Sequence, residues 1–164
     1  MHKPPKVILS AYACEPNVGS EPGIGWNWAV QGARHGNEMH VVTRANNRVR
    51  IETELARHPV ANLHFHYFDL PGVFRWWKKA AGYYGLVSYY YAWQAALMVV
   101  AASLHRKHRF DLAHHITFGN DWLPSGLLLL PVPFIWGAIG GSAHQLPPQL
   151  DVRLPAYAKR HDFI

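Results

Sequence analysis

The stretch Lys6-Val7-Ile8-Leu9-Ser10-Ala11-Tyr12-Ala13-Cys14-Glu15-Pro16-Asn17-Val18-Gly19-Ser20-Glu21-Pro22-Gly23-Ile24-Gly25-Trp26 decides the fold. Val7, Ile8 and Leu9 form a short unbroken apolar run, the pattern of a strand buried on both faces in a parallel sheet. Helix signals follow the turn: Pro22 suits a first helical position, with Ser20 or Glu21 capping it. Trp26, Ala29, Val30 and Ala33 then recur at i, i+3, i+4 and i+7, one face of a helix. His35-Gly36-Asn37 closes that helix.

Outward from this unit the same alternation repeats. Met39 to Thr43 reads as a second strand. Asn46 or Asn47 can cap a polar helix that runs to about His58 and is stopped by Pro59. Leu63 to Phe68 reads as a third strand and Asp111 to Ile116 as a fourth. Between them a long apolar helix places Tyr90, Trp93, Leu97, Val100 and Leu104 on one stripe and ends near His108. A short helix through Leu127 to Leu130 and a strand from Pro133 to Trp136 complete the count. Repeated strand–helix alternation predicts an α/β fold, a Rossmann-like doubly wound parallel sheet. The domain is read as residues 1–145, and 146–164 as a Pro-containing tail or linker.

Composition agrees with one core-rich domain. The 164 residues carry 16 Lys and Arg against 10 Asp and Glu, a net charge of +6, with 49% apolar and 13% aromatic residues. A disordered chain has few aromatics and more charge. A single cysteine, Cys14, excludes an internal disulfide framework and suits a reducing, cytoplasmic compartment. The apolar run near Met1 is too short for a signal-peptide core. Leu86 to Leu104 holds no charged residue and is long enough to cross a bilayer. Basic residues at both of its ends, and Ser88, Gln94 and Ser103 within it, favour a buried helix.

In doubly wound sheets ligands lie beyond the carboxyl ends of the strands, near the point where strand order reverses. Four loops meet that rule: Tyr12 to Gly25, Thr43 to Asn47, Thr117 to Asp121 and Gly137 to Ser142. In the first, Gly19, Gly23 and Gly25 can offer backbone N–H groups to an anion, or can be glycine simply because a tight strand-to-helix turn requires it. The spacing is not the dinucleotide fingerprint, and Arg44 stands where an acidic ribose ligand would follow the second strand. His114 and His115 point to opposite faces of the fourth strand, which rules out joint chelation of one metal. One of them sits where this fold builds sites, as a catalytic or a structural histidine. His64 and His66 share a face of the third strand, but no third ligand at suitable spacing accompanies them, so no metal site is assigned. Phe74-Arg75-Trp76-Trp77-Lys78-Lys79 suits peripheral contact with an anionic membrane. Stacking on nucleic acid is the competing use of such a tract and is not adopted.

Taken together, Ser10 to Pro16, Gly19 to Trp28, Thr43 to Asn47, Phe110 to Asn120 and Phe134 to Gly141 resemble the amino-terminal domain of glycosyltransferase family 4. The resemblance runs in order across residues 6–145. It implies a GT-B architecture with strand order 3-2-1-4-5, and an enzyme that transfers sugar with retention from a nucleotide-sugar donor without a metal or other cofactor. The acceptor (a glycan, a lipid-linked sugar or a small molecule) would bind this domain, at the inner face of the membrane or in the cytoplasm. Carried over by position, His114 or His115 would approach the transferred sugar. Gly19, Ser20, Glu21, Gly23, Gly25, Arg44, Thr117, Gly119, Asn120, Gly140 and Gly141 would line the substrate cleft. The family's second domain carries a Glu-x7-Glu pair for the donor. The five glutamates here, Glu15, Glu21, Glu38, Glu52 and Glu54, contain no such pair. The resemblance therefore implies an acceptor-side half that needs a carboxyl-terminal GT-B domain and is inactive alone. A non-catalytic module that contacts membrane or protein through its basic aromatic surface is the alternative.

Overall fold

A computed structural model describes residues 3–119 and 123–139. The elements run β1 (Lys6–Ala11), α1 (Ser20–Arg34), β2 (Glu38–Arg44), α2 (Arg48–Arg57), β3 (Leu63–Phe68), α3 (Gly72–Ala80), α4 (Gly82–His108), β4 (Leu112–Thr117) and β5 (Phe134–Trp136). Short 3-10 turns occupy Ala45–Asn47 and Gly126–Leu129. All five strands are parallel, in the order β3-β2-β1-β4-β5, so the doubly wound reading holds, with its reversal between β1 and β4. The tail 146–164 lies outside the described residues.

The buried positions explain this order. β1, β2 and β4 are buried along nearly their whole length, as central strands covered on both faces must be. β3 and β5 form the edges and stay half-open. Side chains alternate between two cores. On one face Leu9, Val41 and Ile116 pack with Ala29 and Ala33 of α1 and Ile51 of α2. On the other, Ile8, Val42 and Ala113 meet Tyr89, Tyr90, Trp93, Leu97 and Ala101 of α4. Trp93 anchors this second core, fully buried, with ring contacts of 4.6 Å to Phe68 and 5.1 Å to Tyr12. Such aromatic pairs add about 0.5–1.5 kcal/mol each beyond the area they bury.

α4 is long and apolar enough to cross a membrane by length and composition, and one of its stripes is buried in this core. It starts at Gly82, before the uncharged stretch. Phe74 to Lys79 lies within helix α3, which packs on α4.

α1 starts at Ser20, two residues before Pro22, and no side chain caps it. The missing N–H of Pro22 costs nothing within a first turn, whose N–H groups lack intrahelical partners. Glu21 does not serve as the cap, because its carboxylate reaches across to the β4 loop. Asn47 likewise makes no cap for α2. Its buried amide donates to Thr43 Oγ1 at 2.9 Å and to Tyr12 O at 3.3 Å, joining the β2 end to the first loop.

Candidate functional site

Every strand delivers its carboxyl end to the same edge of the sheet, and the loops there are tied to one another. Thr117, fully buried, uses its hydroxyl twice, donating to Ala13 O at 3.0 Å and accepting from Ala13 N at 3.1 Å. Glu21 Oε1 accepts from the Gly119 N–H at 3.1 Å. Its other oxygen is buried without a hydrogen-bond partner among the described residues. The first loop, the start of α1 and the β4 loop thus form one continuous wall.

The glycines of the first loop divide into two kinds. A Cβ on Gly23 would sit 1.9 Å from Val18 O, and one on Gly25 would sit 2.2 Å from Ala13 O. Both are glycine because the loop carbonyls lie directly on the helix, so the steric reading accounts for them. Gly19 has open space where a Cβ would stand. Gly119 approaches Ala138 O so closely that a Cβ would lie 2.8 Å from it. Asn120, Gly140 and Gly141 lie outside the described residues.

The two histidines separate as strand alternation requires. His114 lies on the α1 face, edge-on to Trp28, with Nε2 donating to Gly137 O at 2.5 Å. Its burial lowers its pKa below the ordinary histidine value, against the Gly137 carbonyl. His115 lies on the α4 face, fully buried. Its Nε2 is 3.2 Å from Phe118 O and 3.3 Å from the Tyr90 hydroxyl, and its Nδ1 has no partner among the described residues. Burial lowers its pKa to about 4, so the ring is neutral near pH 7. The nearby Cys14 is no nucleophile either, because burial raises its thiol to about 12.

Arg44 belongs to a polar cluster that the sequence reading did not assemble. Its Nε donates to Asp69 Oδ1 at 3.1 Å, and its guanidinium lies 5.1 Å from the Tyr12 ring centre and 5.5 Å from that of Tyr89. Lys78, from α3, donates to the Tyr12 hydroxyl at 3.0 Å and lies 5.0 Å from the Tyr89 ring centre. The Tyr89 hydroxyl donates to Asp69 Oδ1 at 2.7 Å. Two cations and one carboxylate leave the cluster one positive charge in excess. Burial, with the Arg44 charge beside it, lowers Lys78 to about 8. Such a cluster can receive an acidic group without first expelling another anion. Asp69 could have been found by the strand-end rule, since it directly follows β3. Lys78 and Tyr89 carry no such signal, because helix packing alone brings them here.

The imidazoles of His64 and His66 stand on the edge strand β3, which β2 and β1 separate from β4. In register, His64 pairs with His40 of β2, and His108 closes on them from the end of α4. No protein-family model matches the chain and no curated protein matches it, so its functional reading rests on the fold and on these contacts.

Proposed function

We propose that this chain is the acceptor-side domain of a retaining GT-B glycosyltransferase similar to family 4. The observation that carries the reading is the junction of Glu21 with Gly119. It brings the Gly19–Trp28 motif and the Phe110–Asn120 motif, far apart in sequence, onto one wall at the carboxyl edge of a 3-2-1-4-5 sheet. Catalysis in this reading consists of positioning and electrostatics. Arg44 and Lys78 hold an acidic group of the acceptor. The unpartnered Glu21 oxygen accepts a hydrogen bond from an acceptor or sugar hydroxyl, and neutral His114 and His115 fix the β4 end rather than exchange protons. A second domain supplies the donor contacts, including the paired glutamates, so the nucleotide sugar is a substrate of the two domains together and no metal takes part in the transfer.

The acceptor is delivered at a membrane surface on the cytoplasmic side. On α3 Val73, Phe74, Trp76 and Trp77 are exposed beside Lys79. Aromatic rings and lysines at one surface suit the headgroup layer of an anionic bilayer. The same surface favours the second reading, a non-catalytic module that docks through α3 alone.

Binding measurements separate the two. NMR titration of the 164-residue chain with a sugar carried on a lipid diphosphate, in detergent micelles, should shift signals of Tyr12, Arg44 and Lys78. Arg44→Ala should weaken that binding at least tenfold, and Trp76→Ala/Trp77→Ala should weaken flotation with anionic vesicles. Flotation without any Arg44-dependent acceptor binding would overturn the transferase reading in favour of the docking module. Turnover of a nucleotide sugar by this chain alone at about 1 per second, an ordinary enzyme rate, would overturn the need for a second domain.

A further inference from the structure

We propose that His40, His66 and His108 form a binding site for a borderline divalent metal ion of the zinc class, built from β2, β3 and the end of α4 and sharing no residue with the acceptor wall. One ring nitrogen from each lies within 4.8 Å of the others, and Glu38, His40 and His64 make a second, overlapping group at the same spacing. Four imidazoles thus gather from β2, β3 and the last turn of α4. Ring centres lie 4.3 Å apart for His40 and His108, 5.3 Å for His40 and His66, and 5.8 Å for His66 and His108.

The hydrogen-bond pattern prepares this cluster for a metal. His40 Nε2 faces Glu38 Oε1 at 3.0 Å, and Glu38 is in turn held by Lys6 Nζ at 3.0 Å. The carboxylate accepts, so His40 carries its hydrogen on Nε2 and presents the Nδ1 lone pair to the interior. A carboxylate behind a histidine is the usual support of a ligating ring, fixing its tautomer and raising its basicity. His40 Nδ1 lies 3.0 Å from His66 Nε2, which donates to it when no metal is bound. His108 Nε2 is buried with no hydrogen-bond partner among the described residues.

Tetrahedral zinc with nitrogen ligands at about 2.0–2.1 Å places those nitrogens about 3.4 Å apart, a spacing that small ring rotations reach here. On binding, the His66 hydrogen moves to Nδ1 by exchange with solvent, so neutral imidazoles ligate without net proton release. His64, exposed beside His40, marks the open side, where it or a water completes the coordination. Imidazole nitrogens without thiolates suit Zn2+, Ni2+ or Cu2+ rather than Mg2+ or Ca2+. The ion would clamp the end of α4 to β2 and the edge strand β3.

The test titrates the 164-residue chain with Co2+ and follows the visible spectrum, then displaces the ion with Zn2+. One Co2+ per chain, with the strong bands of four-coordinate cobalt, is expected. His66→Asn and His108→Asn should each weaken binding at least a hundredfold, Glu38→Gln should weaken it about 10–100-fold, and His58→Asn should not change it. Weak six-coordinate bands, or an affinity that His66→Asn and His108→Asn leave unchanged, would overturn the site. Ring-nitrogen NMR of the unsubstituted protein identifies the ligands even where a variant does not fold. Zn2+-induced shifts at His40, His66 and His108 support the proposal, and shifts only at other histidines overturn it.

Discussion

Replacing Gly25 with alanine is expected to destabilise the domain sharply, although alanine is the better helix former by about 1 kcal/mol. Gly25 lies inside α1, and a Cβ there would stand 2.2 Å from Ala13 O and 3.4 Å from the Ala11 Cβ. Neither neighbour is a flexible side-chain tip, so the first loop must move away from the helix by more than an ångström. That movement separates Ala13 from Thr117, whose hydroxyl holds both the N–H and the C=O of Ala13. Overpacking costs about 1–3 kcal/mol, and each lost hydrogen bond adds about 1 kcal/mol. After the gain in helix propensity the net loss is about 3 kcal/mol. For a chain of this size it lowers Tm by roughly 6–12 °C. The control is Gly19→Ala, where the Cβ meets nothing within 4 Å and φ is −80°. Weaker capping and reduced unfolded-state entropy nearly cancel there, leaving a change of about 0.5 kcal/mol or less. Urea denaturation of the two variants measures the contrast. A Gly25→Ala cost below about 1 kcal/mol would refute the reasoning, because the loop would then not be braced on the helix.

Thr117→Val keeps the shape of the side chain but removes both bonds to Ala13, and should cost about 1–3 kcal/mol in the same denaturation assay; a neutral result would mean that water replaces the hydroxyl. Stability should also fall as pH drops from about 6.5 towards 4, because buried His115 titrates only near 4 in the folded chain and at its ordinary value when unfolded. The unfolded chain binds the extra proton in that window, so stability rises with pH across it and is flat, for this group, above and below. The contribution is about 3 kcal/mol at most. His115→Gln should make the profile between pH 4 and 6.5 shallower without flattening it, because buried His66 is also lowered to about 4 and titrates in the same window; an unchanged slope would place the titration elsewhere.

The candidate site was only partly legible in the sequence. Strand-end position singled out Arg44, Thr117 and the histidine pair, because the fold class fixes where carboxyl ends lie. The role of Glu21 was not legible. As the acidic residue of a first helical turn it reads as a cap, and by resemblance as one of the residues lining the cleft, whereas its carboxylate holds the Gly119 N–H. Lys78 reads in sequence as part of a surface tract, yet it is half-buried against Tyr12 and Tyr89. The spacing of His64 and His66 shows two imidazoles on one face of a strand. It says nothing of His40 and His108, which lie 24 residues before and 44 residues after His64.

By itself the sequence determined the five strands with helices α1, α2 and α4 between them, the parallel sheet, and the ends at which its loops gather; helix α3 (Gly72–Ala80) was legible only as a basic aromatic tract. Those properties follow from local codes: unbroken apolar runs for covered strands, a 3.6-residue period for helices, and glycine or proline at the breaks. Tertiary structure alone decided which side chains meet. The register His40↔His64 and Val42↔His66, and the packing of α3 and α4, create the imidazole cluster and the Arg44–Asp69–Lys78 cluster. Register and helix docking minimise the free energy of the whole core, and shifting a strand by a single residue would reverse every side chain on it. No local period along the chain encodes that sum.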